Sequence, residues 1–166
     1  MSSQEHLSIA FWNIENLFDI VDDPNKNDDE FSIGGRKNVT SEIYDLKIKH
    51  SAEVLLDLNS DILGLCEVEN LSVLQDLNRS FTKRNYDIIH YDSPDERGID
   101  NVLLYDKSRF KVINSKPIRN SLNGKDKTRD ILYVLGQFQS DTLHIFVNHW
   151  PSNYGGVEKS IPKRAA

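Results

Sequence analysis

Asp61-Ile62-Leu63-Gly64-Leu65-Cys66-Glu67 decides the fold: an unbroken apolar run from Ile62 to Leu65 bounded by turn residues is the pattern of a strand buried on both faces. Directly before it, between Thr40 and Leu58, Ile48, Ala52, Leu55 and Leu56 recur at helical spacing, with Thr40 or Ser41 as N-caps and Asn59 as the stop. Before that helix, Leu7-Ser8-Ile9-Ala10-Phe11-Trp12-Asn13 alternates, setting Leu7, Ile9 and Phe11 on one face, with Asn13 sharing their parity. Strand, helix and buried strand make a βαβ unit and predict an α/β fold.

Working outward, Asp22 to Arg36 is polar, carries Gly34-Gly35 and reads as a long surface loop. A second helix is predicted from about Asn70 to Phe81, with Leu71, Leu74, Leu77 and Phe81 on one side. Tyr86 to His90, Asn101 to Asp106, Arg109 to Ile113, Asp130 to Phe138 and Thr142 to His149 read as strands, so the later half is predicted to be a meander. After Gly155-Gly156, Ser160 is placed to cap a helix with Pro162 in its first turn. Because that helix begins where the sequence stops, the 166 residues are expected to be the N-terminal portion of one longer domain.

Composition narrows the function classes. No apolar run approaches the roughly 18 residues that cross a bilayer, and the first residues lack the basic and apolar regions of a signal peptide, so no membrane association and a cytoplasmic residence are expected. Cys66 is the single cysteine, which rules out an intrachain disulfide and a Cys-rich zinc site. With 26 acidic residues against 20 Lys plus Arg, a net charge of −6 argues against nucleic-acid binding through overall charge. It leaves room for phosphate chemistry in which carboxylates hold a cation and the cation meets the phosphate.

Period-two parity picks out candidate residues. Asn13 ends the face of Leu7, Ile9 and Phe11; Glu67 ends that of Leu63 and Leu65; His149 ends that of Leu143, Ile145 and Val147; Arg129 precedes Ile131, Tyr133 and Leu135. If these faces look into one core, the four polar side chains gather at one rim of the sheet, where chemistry is commonly housed. The competing reading is that each is simply where a strand meets solvent.

Phe11-Trp12-Asn13-Ile14-Glu15-Asn16-Leu17-Phe18, Asp61 to Asn70, Arg97-Gly98-Ile99-Asp100 and Asn148-His149-Trp150-Pro151-Ser152 together resemble the endonuclease/exonuclease/phosphatase family, of the exonuclease III and deoxyribonuclease I kind, in the family's order. The resemblance implies part of a four-layer α/β sandwich, two mixed β-sheets flanked by helices, of which this chain is the first half. It implies Mg²⁺ as cofactor, with Mn²⁺ as the alternative ion, bound by Glu67. Asn13 matches the Asn near the metal and its phosphate, His149 the position that contacts the scissile phosphate, and Arg129 an arginine that approaches it. Beside these stand plainer roles: Asn13 bonding the next loop, His149 packed against Trp150, and Arg129 paired with Asp126, Asp130 or Asp141. Arg97 and Asp100 order a loop or touch substrate, and His6, His50, His90 and His144 read as surface or structural.

The sequence also departs from the family. Neither its Gly-Asp-Phe-Asn segment nor its Ser-Asp-His segment occurs, and Asn101 stands where an apolar residue is expected. The expectation is therefore a Mg²⁺-dependent phosphoesterase, endonuclease-like first, whose present 166 residues turn over little alone. The alternatives are a phosphatase- or sphingomyelinase-like branch, or a binding module without chemistry. The substrate is nucleic acid or another phosphodiester; the densest basic stretch, Lys125, Lys127 and Arg129, is interrupted by Asp126 and Asp130. Oligomeric state is left open.

Overall fold

The computed structural model describes residues 6–119, 127–153 and 155–164. Lys125 and Asp126 lie outside the described residues. The predicted βαβ unit is present: β1 (Ile9–Leu17), α1 (Ser41–Leu58) and β2 (Ile62–Val68), with β1 and β2 parallel. Thr40 caps α1 by accepting from the Ile43 N–H, and Asn59 ends it in the left-handed region at φ 44°. α2 (Leu71–Arg79) is capped by Asn70. Leu71 is exposed and Val73 buried in its place, because Leu71 opens the helix and the packed stripe runs through Val73, Leu74 and Leu77.

The later half is not one meander. β3 (Asp87–Ile89) and β4 (Asp100–Tyr105) return to the first sheet, giving the order β1-β2-β4-β3 with β4 antiparallel to both neighbours. Only β5 (Lys111–Ile118), β6 (Ile131–Phe138) and β7 (Asp141–Val147) form a meander, the second sheet. α1 and α2 cover the outer face of the first sheet through Leu55, Leu63, Leu65, Leu74 and Leu104, while Ile62, Leu103, Leu132, Val134 and Val147 fill the layer between the sheets. This is the mixed α/β sandwich expected. Gly136 lets the Phe110 ring lie flat on β6: a Cβ there would stand 2.0 Å from the ring.

Three face assignments are corrected by this packing. Ile9 and Phe11 are 57% and 56% exposed, because the second sheet packs under β2 and β4 and does not reach under β1, the edge strand. The packed face of β6 is Leu132, Val134 and Gly136, so Ile131, Tyr133 and Leu135, the residues in phase with Arg129, lie on its outer side. Glu67 leaves the face of Leu63 and Leu65: its φ of 64° and the register shift between Cys66 and Val68 form a bulge that breaks the alternation. Two further expectations change. The predicted surface loop holds a small core of its own, with Phe31 stacked on Phe18 at 4.2 Å. The last helix, α3 (Val157–Arg164), starts before Ser160, whose hydroxyl donates instead to Asn153 Oδ1 at 2.6 Å, and Pro162 lies in the helix interior.

Candidate active site

The bulge at Glu67 faces an irregular stretch of β1, where Glu15 and Asn16 also have positive φ and the register with β2 shifts between Asn13 and Leu17. Left-handed backbone at a non-glycine residue is strained by about 1–3 kcal/mol, and such residues concentrate at functional sites. Here the distortion turns the Glu67 carboxylate toward the rim of the inter-sheet layer. Asn13 Nδ2 donates to Glu67 Oε1 at 3.2 Å and the Asn16 N–H donates to Oε2 at 3.0 Å. Asn13 Oδ1 meanwhile accepts from the Glu15 N–H at 2.9 Å, so the same side chain orders the loop and holds the carboxylate. Lys47, from α1, donates to the carbonyls of Ile14 and Glu15 at 2.8 and 3.0 Å and ties the distorted segment down.

His149 lies just beyond β7 with Nε2 3.4 Å from Glu67 Oε1. Burial first, and then the positive charge of Arg129, push its imidazole below the ordinary histidine value, outweighing the pull of Glu67. Three of the four residues picked out by parity thus meet directly. Arg129 joins them through partners other than the acids its sequence context offers: Nε donates to the His149 carbonyl at 3.0 Å, Nη2 to the Trp150 carbonyl at 3.1 Å and Nη1 to Asp95 Oδ2 at 3.3 Å. Asp130, offered as its partner by sequence, lies 3.4 Å from Arg119 Nε.

Asp95 and Asn16 were missed. Asp95 is buried, accepts from the Arg97 N–H at 3.0 Å and anchors Arg129, a role with no periodic or motif signal. Arg97 donates through Nη2 to Asn16 Oδ1, so it orders the loop beside Glu67. Asp100 is turned away from this cluster: it pairs with His90 Nε2 at 2.8 Å and accepts from the Ser93 N–H. His90, Asp92 and Asp100 bring ligand-type atoms within 4.8 Å of one another, but the buried Asp100 is already engaged by half-buried His90 and by the Ser93 N–H. Behind the bulge, burial followed by the charges of Asp19 and Asp28 pushes the Glu69 carboxyl up to about 8, although the Asp19 N–H donates to it.

Glu67, His149, Arg129, Arg97, Lys127 and Lys159 all line one open cleft of about 770 Å³. Lys163 lines it too, so five cationic side chains share the cleft with four carboxylates, Glu67, Asp95, Glu96 and Glu158, and the mixture of charges can accommodate a cation and a phosphate side by side.

This fold defines a class of two-sheet α/β sandwich proteins. The family model for the endonuclease/exonuclease/phosphatase family matches residues 8–166, and the chain belongs to that family. A comparison with curated proteins by sequence found no match. Among solved structures, humanized D. rerio TDP2 with 14 mutations is similar at a TM-score of 0.60 and 19% identity, over 89% of this chain and 52% of that one. ANGEL2, a 2′,3′-cyclic phosphatase, is similar at 0.59 and 15%, over 89% and 41%. The human Nocturnin catalytic domain with bound sulfate is similar at 0.54 and 19%, over 90% and 52%. At these identities the likeness is one of fold, and the chain spans 41% to 52% of the length of these three structures.

Proposed function

We propose that these residues form the metal- and phosphate-binding part of a divalent-metal-dependent phosphoesterase acting on phosphodiesters, with nucleic acid as the first-ranked substrate. The observation that carries this reading is the meeting of Asn13, Glu67 and His149 at one carboxylate, from β1, the end of β2 and the segment just after β7, far apart in sequence. The donor set fits a hard cation: a carboxylate held by two N–H donors presents charged oxygen and neither thiolate nor paired imidazoles, the requirement of Mg²⁺ or Mn²⁺, which keep several waters. Glu67 would hold the ion, which when bound supplies positive charge at a phosphate oxygen.

Asn13 orients Glu67 through its Nδ2, and a contact with the same phosphate belongs to the proposal. His149, neutral near pH 7, donates a hydrogen bond to a phosphate oxygen as charge develops on it. Arg97, Lys127, Lys159 and Lys163 stand along the cleft beside Asp95, Glu96 and Glu158, and are the cationic side chains available to further phosphates of a longer substrate. The ranking of nucleic acid is supported by a D. rerio TDP2 structure holding a single-strand DNA product, at 18% identity and a TM-score of 0.58. A phosphatase branch is the second reading, favoured by the likeness to ANGEL2. Gly-Asp-Phe-Asn and Ser-Asp-His are absent from the sequence, so the water-activating groups they carry in the family have no counterpart in these 166 residues, and slow turnover by this chain alone belongs to the proposal.

The test is Mn²⁺ titration of the chain by electron paramagnetic resonance, with hydrolysis of single-stranded DNA and of bis(p-nitrophenyl) phosphate measured alongside. The expected result is a stoichiometric Mn²⁺ site abolished by Glu67→Gln, with little hydrolysis. Unaltered Mn²⁺ binding in a folded Glu67→Gln variant would remove Glu67 as the ligand, and DNA turnover at enzymatic rates would refute the need for further groups.

A further inference from the structure

Asn101 breaks the pattern of its own strand. Leu103 and Tyr105, in phase with it on β4, pack into the apolar layer between the sheets, and Asn101 is 4% exposed in the same layer. Its Nδ2 donates to the Asp130 carbonyl at 2.7 Å. That bond fixes the orientation of the amide, since turning it round would set one carbonyl oxygen against another. Oδ1 is left buried and without a partner among the described residues. A buried amide oxygen without a hydrogen bond is destabilising, so it calls for a donor.

His149 Nδ1 is a second buried polar atom without a partner among the described residues. Asn101 and His149 line the same small pocket, together with Arg129, Ile131, Asn148, Trp150 and Pro151, with about 10 Å³ open to the centre of a water-sized sphere. That is roughly the space one water requires, and a buried water needs at least two polar partners.

We propose that Asn101 is a positioning residue for His149, acting through one water in this cavity that donates one hydrogen to Asn101 Oδ1 and the other to His149 Nδ1. The inference rests on the reading of His149 as a donor to phosphate and explains how that donor is set. A neutral imidazole carries one ring proton. With Nδ1 accepting from the water, the proton sits on Nε2, the nitrogen 3.4 Å from Glu67 Oε1 on the cleft side. The opposite tautomer would turn a lone pair toward both the carboxylate and an incoming phosphate. Arg129 completes the setting by holding the carbonyls of His149 and Trp150, so the backbone that carries the ring is fixed while the water selects the proton position. A leucine or valine at position 101 would fill the layer as well as an amide does, but could not bind this water.

The experiment is a long-range ¹H–¹⁵N correlation spectrum of the ¹⁵N-labelled 166-residue chain at about pH 8, above the ordinary histidine value of about 6.5. The expected result is a single His149 tautomer protonated on Nε2, with cross-relaxation to a long-lived water. In Asn101→Leu the Nδ1-protonated form should rise at least several-fold, and inorganic phosphate should bind several-fold more weakly. A wild-type ring protonated on Nδ1 overturns the proposal, and so does an unchanged tautomer in folded Asn101→Leu. Should Asn101→Leu fail to fold, the wild-type spectrum still decides between the two tautomers. The tautomer is read without metal or substrate, so a chain that binds no Mn²⁺ would refute the proposed function while leaving this measurement intact.

Discussion

Asn13 and Glu67 are joined by a hydrogen bond of 3.2 Å from Nδ2 to Oε1, across two parallel strands, at the point where both strands lose their regular register. The bond links a distortion of the backbone to the aim of a carboxylate. Asn13→Ala removes it together with the bond to the Glu15 N–H, while leaving the Asn16 N–H on Glu67. Loss of such a supporting partner weakens metal binding by about 10- to 100-fold. Mn²⁺ titration of Asn13→Ala should show that weakening in a folded protein, and an unchanged affinity would reduce Asn13 to a loop-ordering residue.

His149→Ala separates chemistry from packing. If Nε2 donates to phosphate in the transition state, kcat of the active enzyme should fall on the order of 10²-fold, the scale of losing one preorganised donor. Tm should hardly move, because the ring lies at the edge of the layer and its Nδ1 makes no direct protein hydrogen bond among the described residues. A large drop in Tm with kcat per folded molecule intact would assign His149 to packing.

Arg129 and Asp95 form a pair whose side chains are 11% and 6% exposed. Arg129→Leu leaves Asp95 charged without its partner and strips the His149 and Trp150 carbonyls of their donor. Breaking a buried pair from one side destabilises by about 3–5 kcal/mol, and urea unfolding should report a loss of that order. Arg129→Lys should recover only part of it, since an ammonium cannot reproduce the three-pronged fork. A residue that served only to touch substrate would change affinity and leave the urea midpoint in place.

Asp61 sets a limit on acid stability. Burial alone would raise its carboxyl value, but the Ser8 N–H and hydroxyl, each at 2.9 Å, and Arg84 at 3.2 Å outweigh it and lower the value in the folded state. A lowered folded value means that its contribution is complete above the unfolded value of about 3.9 and disappears as the pH falls through the folded one. Urea midpoints should therefore drop below about pH 4. In Asp61→Asn, less stable at neutral pH, that acid limb should flatten; an identical acid limb in the variant would assign the loss to other carboxylates.

The sequence by itself determined the βαβ opening, both caps of α1 and the family. Each depends on neighbours within a few residues: periodicity of Ile48, Ala52 and Leu55, the side-chain oxygen at Thr40 and the stop at Asn59, and contiguous segments such as Asn148-His149-Trp150. Parity also brought Asn13, Glu67 and His149 forward, although for Glu67 the face was misassigned, since a one-residue bulge reverses alternation and leaves no mark in composition. Only the tertiary structure decided which strands share a sheet, because β4 pairs with β2, and β3 with β4, through contacts that local pattern does not encode. It likewise decided that Arg129 engages the His149 and Trp150 carbonyls and Asp95, not Asp130, and that Asn101 lies beside His149. Those relations join residues 20 to 48 positions apart in the chain. Such hydrogen bonds and shared cavities are set by the distance between folded segments, which the packing of the two sheets fixes and period-two bookkeeping along one strand does not contain.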